Sequence, residues 1–320
     1  MYKRILFWLG NSRLFSLPMT VLSWLVVFLY SLKFDGDIVN GVIALIGISF
    51  AHLATNLFDD YVDYRSLHKE QAFIDNKEKS KCLYIKDGRA SLNELLLVVC
   101  GYCMIAFLTG VILTFRSGMG VILLAVIGGS IVLSYAKLSS NGFSEVAVGT
   151  AFGPLLFEGV YYVMCKSFSV KVLFLSLAVV VFTVGLVYMN NVLDYENDKK
   201  CNKKSLCCRI GNTDKIAIGL VVLYSIGYLM SILLAVIMKN ICYLLPVITV
   251  PLVFQLYNSV KDFYRDSSNV PILRWWNFPM GNVQKMRDNG TASFYFRLYF
   301  ARNIMIWFSI FMIVAILYAK

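Results

Sequence analysis

The sequence predicts an all-α, polytopic membrane protein, with nine transmembrane helices in one bundle, and three observations carry that expectation. Of 320 residues, 58% are hydrophobic and only 15% charged, against about 25% charged in soluble domains. Apolar runs of about 20 residues, the length a helix needs to cross the hydrocarbon core, recur along the whole chain. Such runs are too long for barrel strands, and backbone groups in lipid must be satisfied internally, which leaves helices.

The expected spans are 15–33, 38–57, 93–115, 118–136, 145–164, 170–193, 214–237, 239–258 and 299–318. Phe34–Asp37, Ser117, Lys166–Ser169 and Lys239–Asn240 are short links that favour an up-and-down order. Arg116-Ser117-Gly118 must be the turn between the third and fourth spans. Nothing divides the chain into soluble and membrane parts, so residues 1–320 read as a single domain. Lys3 and Arg4 precede a long apolar run, as in a secretory signal, but the run is too long and no A-x-A-like site follows it. It is therefore kept as the first span.

Charge placement orients the bundle. With the amino terminus inside, the segments on that side hold 24 of the 30 Lys and Arg residues, and only Lys33, Arg116, Lys166, Lys171, Lys239 and Lys320 fall on the other. This is the positive-inside pattern. It puts the N-terminus and the motif loops described below in the cytoplasm and the C-terminus on the opposite side of the cell membrane. The net charge of +11 thus follows topology, and it suits an anionic substrate or lipid headgroups. Nucleic acid is not an expected partner, because the basic residues sit in membrane loops without a DNA- or RNA-binding motif. His52 and His68 are the only histidines, which argues against a histidine-rich zinc or haem site. No G-x-x-x-x-G-K-[ST] loop is present. Cys100 and Cys103 have redox spacing but lie in an apolar run, and read as small helix-packing residues.

The chemistry lies where the second and sixth spans meet the basic side. Asn56-Leu-Phe-Asp59-Asp60-Tyr61-Val-Asp63-Tyr64 ends the second, and Asn190-Asn191-Val-Leu-Asp194-Tyr195-Glu196-Asn197-Asp198 ends the sixth. Both contain N-x-x-x-D-Y. If each helix persists through its motif, Asn56 and Asp60 lie one turn apart with Asp63 following on the same face, and Asn190, Asp194 and Asp198 form the matching ladder. Two such ladders facing each other would make an oxygen-rich cluster. Carboxylates and amide oxygens suit hard cations, and magnesium takes one or two carboxylates together with phosphate oxygens. The plainer reading, acids that cap helices or are solvated, explains the pair badly. Acids at a helix carboxyl end oppose the macrodipole, and several together repel one another unless a cation is present.

Each motif is followed by bases: Lys77, Lys79, Lys81, Lys86 and Arg89 after the first, and Lys199, Lys200, Lys203, Lys204 and Arg209 after the second. Acids for a metal followed by bases for phosphate oxygens are the parts that stabilise a departing anion. The main rival is an ion-coupled transporter, whose carboxylates would bind a cation near the midplane in broken helices. A non-catalytic binder of lipid diphosphates is the third possibility.

Asn190–Gly211, N-N-V-L-D-Y-E-N-D-K-K-C-N-K-K-S-L-C-C-R-I-G, resembles the second signature of UbiA-type prenyltransferases, most closely the branch that prenylates 1,4-dihydroxy-2-naphthoate in menaquinone synthesis. N-L-F-D-D-Y-V-D-Y is similar to that branch's first motif. Lys86-Asp-Gly-Arg-Ala-Ser91, Ser12-Arg13-Leu-Phe-Ser-Leu-Pro18, and Phe152-Gly-Pro154 with Gly159-Val-Tyr-Tyr162 resemble further segments in the same order. The resemblance implies nine spans around a lipid-open cavity and transfer of a polyprenyl group from polyprenyl diphosphate to an aromatic acceptor. It implies that Asn56, Asp60, Asp63, Asn190, Asp194 and Asp198 bind the diphosphate through Mg2+. Lys81, Arg89, Lys203, Lys204 and Arg209 become candidates to contact phosphate directly. Hydroxybenzoate, haem or a sugar phosphate are alternative acceptors.

This chain departs from the family pattern at Asp59 (usually Asn), Val62 (Gly), Leu193 (Arg), Asn202 (Gly) and Ser205 (Thr). The stretch from Arg274 to Arg297 is longer than the branch suggests; it could close over the site, bind a different acceptor or lie at the interface as an aromatic belt, and the last is the favoured reading. Glu158 and His52 read as structural residues inside the bundle.

Overall fold

The computed structural model describes residues 2–67 and 82–319. Among the described residues no strand occurs, and nine helical spans are long and apolar enough to cross a membrane: Leu14–Leu32, Ile38–Ser66, Leu92–Ser117, Gly120–Ser140, Ser144–Cys165, Val170–Leu193, Thr213–Met238, Ile241–Arg265 and Ala292–Tyr318. The fold is all-α and the protein is a multi-pass membrane protein. The chain forms two compact units, one of residues 1–139 and 150–172, the other of residues 140–149 and 173–320.

The first unit contains α1 (Tyr2–Asn11), α2 (Pro18–Leu32), α3 (Ile38–Leu67), α4 (Leu83–Lys86), α5 (Leu92–Ser117), α6 (Gly120–Ser140) up to its last residue, and α8 (Leu156–Cys165). Pro18 opens α2 at a position where its missing N–H costs nothing. α3 packs along α5 and against α2 and α8. The approach is close because Gly41 faces Phe28 and Met164, and its carbonyl accepts from Trp24 Nε1 at 2.8 Å. Small residues let membrane helices approach in this way. At the end away from the acidic motif, Asn40 donates to Ser117 Oγ at 3.0 Å and the Val163 carbonyl at 2.9 Å, and accepts from Arg116. At the motif end, Trp8, Leu57, Cys82, Tyr84, Ile85, Ala90, Leu95 and Val99 form one core that ties α1, α3, α4 and α5 together. Arg116–Gly118 is the expected turn, with Gly118 at φ 101°. Cys100 and Cys103 are exposed on α5, so they point outward instead of packing against a neighbour.

α5 starts on a capping box: Ser91 Oγ accepts from Glu94 N at 3.2 Å, and Ser91 N donates to Glu94 Oε2 at 2.9 Å. Ser91→Ala is expected to lower stability by about 1 kcal/mol. This should appear as a lower midpoint of thermal unfolding in detergent. Glu94→Gln keeps an acceptor for the Ser91 N–H and should cost less.

The second unit contains α7 (Ser144–Thr150), α9 (Val170–Leu193, from Leu173 onward), α10 (Tyr195–Lys200), α11 (Leu206–Ile210), α12 (Thr213–Met238), α13 (Val250–Arg265), α14 (Val283–Asp288) and α15 (Ala292–Tyr318). Between α7 and α8, Ala151–Leu155 widens into a π-helical segment, where Gly153 is non-helical and Pro154 removes a donor. α9 and α15 are the core helices, with 78% and 61% of their most apolar windows buried, against 11% for α5. Phe182 of α9 stacks on Phe308 of α15 with centroids 3.6 Å apart.

The last span begins at Ala292, not at 299 as expected. Arg297 breaks the apolar pattern there, yet it is 1% exposed and its guanidinium donates to the carbonyls of Ser259, Asn269 and Ser293 at 2.7–2.9 Å. Arg302 donates to the Pro279 carbonyl and to Asn303 Oδ1, and Asn303 donates to the carbonyls of Asn277 and Pro279. Trp276 donates to Gln255 Oε1 at 2.8 Å, while its carbonyl accepts from Trp307 Nε1 at 3.1 Å. Of the expected aromatic belt, Trp275 is 74% and Phe278 45% exposed, whereas Trp276, Asn277 and Pro279 are tied to α13 and α15.

Candidate functional site

The first motif lies wholly on α3, which continues past 57 to Leu67. Asp59, Asp60 and Asp63 are buried there, at 3%, 2% and 7% exposure. The helix persists because α1 and α4 cover this end of it. Between α1 and α2 the chain turns at Arg13, which takes the left-handed conformation at φ 62°, uncommon for a residue with a side chain. That turn brings the guanidinium onto the motif. Arg13 donates to Asp59 Oδ2 at 3.3 and 3.4 Å and to Asp60 Oδ1. Tyr84 Oη donates to Asp60 Oδ2 at 3.2 Å, so both oxygens of Asp60 are engaged. Burial works against the charge of Arg13, but Asp60 and then Asp59 outweigh it and hold the guanidinium above its ordinary value. Burial, reinforced by the Asp60 carboxylate, raises the Tyr84 phenol, which stays a hydrogen-bond donor.

Asn56 fastens the same turn. Its Nδ2 donates to the Ser12 carbonyl at 3.0 Å and to Ser16 Oγ at 3.3 Å. Ser16 Oγ also lies 3.2 Å from His52 Nε2, and Thr20 Oγ1 lies 2.7 Å from Nδ1. His52 is therefore held by two hydroxyls, with Phe152 edge-on at 5.0 Å. Glu158 Oε2 accepts from the Ser169 amide at 3.1 Å, far along the chain from either motif. Arg89 donates to Asp87 at 3.2 Å on an exposed turn. Lys77, Lys79 and Lys81 lie outside the described residues.

The second motif is broken where the first is continuous. α9 stops at Leu193 and Asp194 sits at φ −90°, ψ 0° before α10 begins. The break keeps register, because the Asp194 amide donates to the Asn190 carbonyl at 2.9 Å and the Asp198 amide to the Asp194 carbonyl at 2.8 Å. Asn190 Nδ2 donates to Asp194 Oδ2 at 3.2 Å. Asn191 donates to Glu145 Oε1 at 2.7 Å and to Ser144 Oγ at 3.1 Å, so a buried carboxylate on α7 holds the start of the motif.

The basic tail folds back on the segment before α7. Asn202 occupies φ 52°, a left-handed position that asparagine tolerates better than most residues with a side chain. The Lys203 amide then donates to the Asp198 carbonyl at 2.9 Å, the Lys204 amide to the Ser140 carbonyl at 3.2 Å, and Arg209 Nη2 to the Asn141 carbonyl at 2.6 Å. Burial, and next the Glu145 carboxylate, push the Cys207 thiol up and keep it protonated. Sequence reasoning did not assign roles to Arg13, Tyr84 or Glu145. Only Arg13 carried a signal, as part of the Ser12–Pro18 resemblance.

Among the described residues no three His, Cys, Asp or Glu side chains converge closely enough to hold a metal by themselves. The donors within each motif are all oxygen: carboxylates and amides. Such a set fits magnesium, which completes its shell with water and substrate phosphate oxygens.

Fold and motifs together define an all-α polytopic membrane protein with two acidic helix ends, each followed by bases. The chain matches the UbiA prenyltransferase family over residues 16–278, and it belongs to that family. It is 21% identical over 199 residues to the 1,4-dihydroxy-2-naphthoate octaprenyltransferase of Bacillus subtilis (strain 168), a match spanning 60% of this chain and 61% of the relative. The chain thus spans about three-fifths of the length of that curated relative. Among solved structures, it is similar to a digeranylgeranylglyceryl phosphate synthase, with a TM-score of 0.59 at 16% identity over 98% of this chain and 99% of the other. It is also similar to a UbiA homologue from Archaeoglobus fulgidus bound to GPP and Mg2+, with a TM-score of 0.55 at 15% identity over 93% and 99%.

Proposed function

We propose that residues 1–320 act as one Mg2+-dependent prenyltransferase domain, moving a polyprenyl group from polyprenyl diphosphate to 1,4-dihydroxy-2-naphthoate. The observation that carries this reading is the burial of Asp59, Asp60 and Asp63 on one helix at the end of a span. Three buried carboxylates are costly without cations, and the family's chemistry provides a reason to keep them. Asn56, Asp60, Asp63, Asn190, Asp194 and Asp198 would hold magnesium together with the donor diphosphate. When bound, the metal would offset the charge that develops on the departing diphosphate.

The chain's own cations share that task. Lys203, Lys204, Arg209, Arg89 and Lys81 are the proposed phosphate contacts, through charge-assisted hydrogen bonds. Breaking the allylic C–O bond leaves a delocalised cation, which aromatic faces stabilise. The electron-rich ring of the acceptor then forms the new C–C bond and loses its proton. The positive-inside charge pattern supports a cytoplasmic position for both motifs.

The relative from Bacillus subtilis supports naphthoate as acceptor. The similarity to a digeranylgeranylglyceryl phosphate synthase supports a second reading, in which the acceptor is a non-aromatic phosphate. Family membership weighs against an ion-coupled transporter. The test is purified protein in nanodiscs with radiolabelled polyprenyl diphosphate, magnesium and both acceptor classes. Prenylated naphthoate, lost with EDTA, is expected. Product from the phosphate acceptor alone would select the second reading. A donor that neither binds nor reacts would overturn both.

A further inference from the structure

Asp59 is the acid that Arg13 reaches together with Asp60. We infer that Arg13 is the resident counter-cation of the first motif, and that Asp59 is the partner to which Arg13 retires when a divalent cation takes Asp60. The inference rests on the reading of Asp60 as a metal-binding residue.

Four observations carry it. Asp59 and Asp60 side chains are each 3% exposed, and the Arg13 side chain is 23% exposed, so the arginine sits on the open side of two enclosed carboxylates. Both oxygens of Asp60 are engaged, Oδ1 by Arg13 and Oδ2 by Tyr84. A cation approaching Asp60 therefore competes with a guanidinium. Arg13 stands on a left-handed backbone position at a turn between two helices, a conformation kept only where surrounding contacts impose it. Asn56 holds that turn by Nδ2 bonds on either side of Arg13, at Ser12 and Ser16, so the guanidinium can move while its backbone stays.

Charge decides the role of Asp59. With both acids present, Arg13 can release Asp60 and remain paired. Without Asp59, the same release would leave a mostly buried guanidinium with no carboxylate opposite it, which is unfavourable. Asp59 thus acts through Arg13, as a positioning residue.

The test uses full-length protein in nanodiscs with Mn2+ alone, no diphosphate added, and bound Mn2+ counted by electron paramagnetic resonance. Wild type, Arg13→Gln, Arg13→Lys, Asp59→Asn and the Asp59→Asn/Arg13→Gln double variant are compared, with Asp60→Asn marking the site. Arg13→Gln should tighten Mn2+ binding by at least about tenfold, because a competing charge at contact distance is gone. Arg13→Lys, whose compact ammonium cannot span two carboxylates, should tighten it less and serves if the glutamine variant misfolds. Asp59→Asn should weaken binding by about tenfold in the wild-type background and by no more than about threefold in Arg13→Gln. Equal losses in both backgrounds would make Asp59 a ligand in its own right and overturn the proposal. So would Arg13 variants that bind Mn2+ no better than wild type while Asp60→Asn abolishes binding. Mn2+ binding untouched by Asp60→Asn would instead overturn the metal reading of the motif.

Discussion

Asp194→Asn is expected to lower prenyl transfer by about 10²–10³-fold, the size of effect seen when one charge-stabilising group is removed from a transition state. Asp194 is half-buried, its side chain does not cap α10, and an asparagine keeps an acceptor for Asn190 Nδ2. The variant should therefore keep its unfolding midpoint while losing turnover, measured with radiolabelled donor at saturating magnesium. Asp60→Asn is expected to cost as much activity but also stability. Asp60 is buried and receives bonds from Arg13 and Tyr84, and an amide replaces only part of what its charge offers them. The two variants therefore separate catalysis from architecture. An Asp194→Asn protein that turns over at the wild-type rate would remove the second motif from the chemistry.

The second large effect is expected at Gly142, just before α7. It sits at φ +78°, and a Cβ there would come 2.5 Å from the Lys204 carbonyl oxygen and 3.0 Å from Arg209 Nε. Gly142→Val combines a left-handed conformation with overpacking, for an expected cost of about 2–4 kcal/mol. The obstruction falls on the backbone that carries Lys203, Lys204 and Arg209, so KM for the donor should rise as stability falls. Gly142→Asn discriminates between the two causes. If backbone conformation dominates, asparagine should be much milder than valine; if the obstruction dominates, as the 2.5 Å approach implies, it should be nearly as damaging as valine.

Much of this molecule could be read in its sequence. Every expected span has a counterpart among the described residues, because apolar length is a one-dimensional property that lipid enforces directly. The ends were less legible. The second span runs on through Asp63, since α1 and α4 bury its polar end, and the last begins early, since carbonyls satisfy Arg297. Neither cause can be seen without the tertiary fold. The same holds for the motifs. Spacing suggested a ladder for both, and α3 keeps it as one helix, whereas the second is carried over a break at Asp194 by two backbone bonds. Arg13 was visible only as part of a resembling segment. Its pairing with Asp59 depends on a left-handed turn, and no local pattern at Asn11–Leu14 announces one. Tyr84 and Glu145 lie in segments whose residues look ordinary until folding brings them beside Asp60 and Asn191.

The buried arginines of α15 also bear on how the chain enters the membrane. Placing an arginine inside a span costs up to about 2.5–3.5 kcal/mol during insertion, and Arg297 and Arg302 are both within the last one. Their acceptors at Ser259, Asn269 and Pro279 belong to chain that is synthesised immediately before the helix itself. The stretch between α13 and α15 can therefore act as an escort made in advance, so that the final span is released into lipid together with that stretch and not ahead of it.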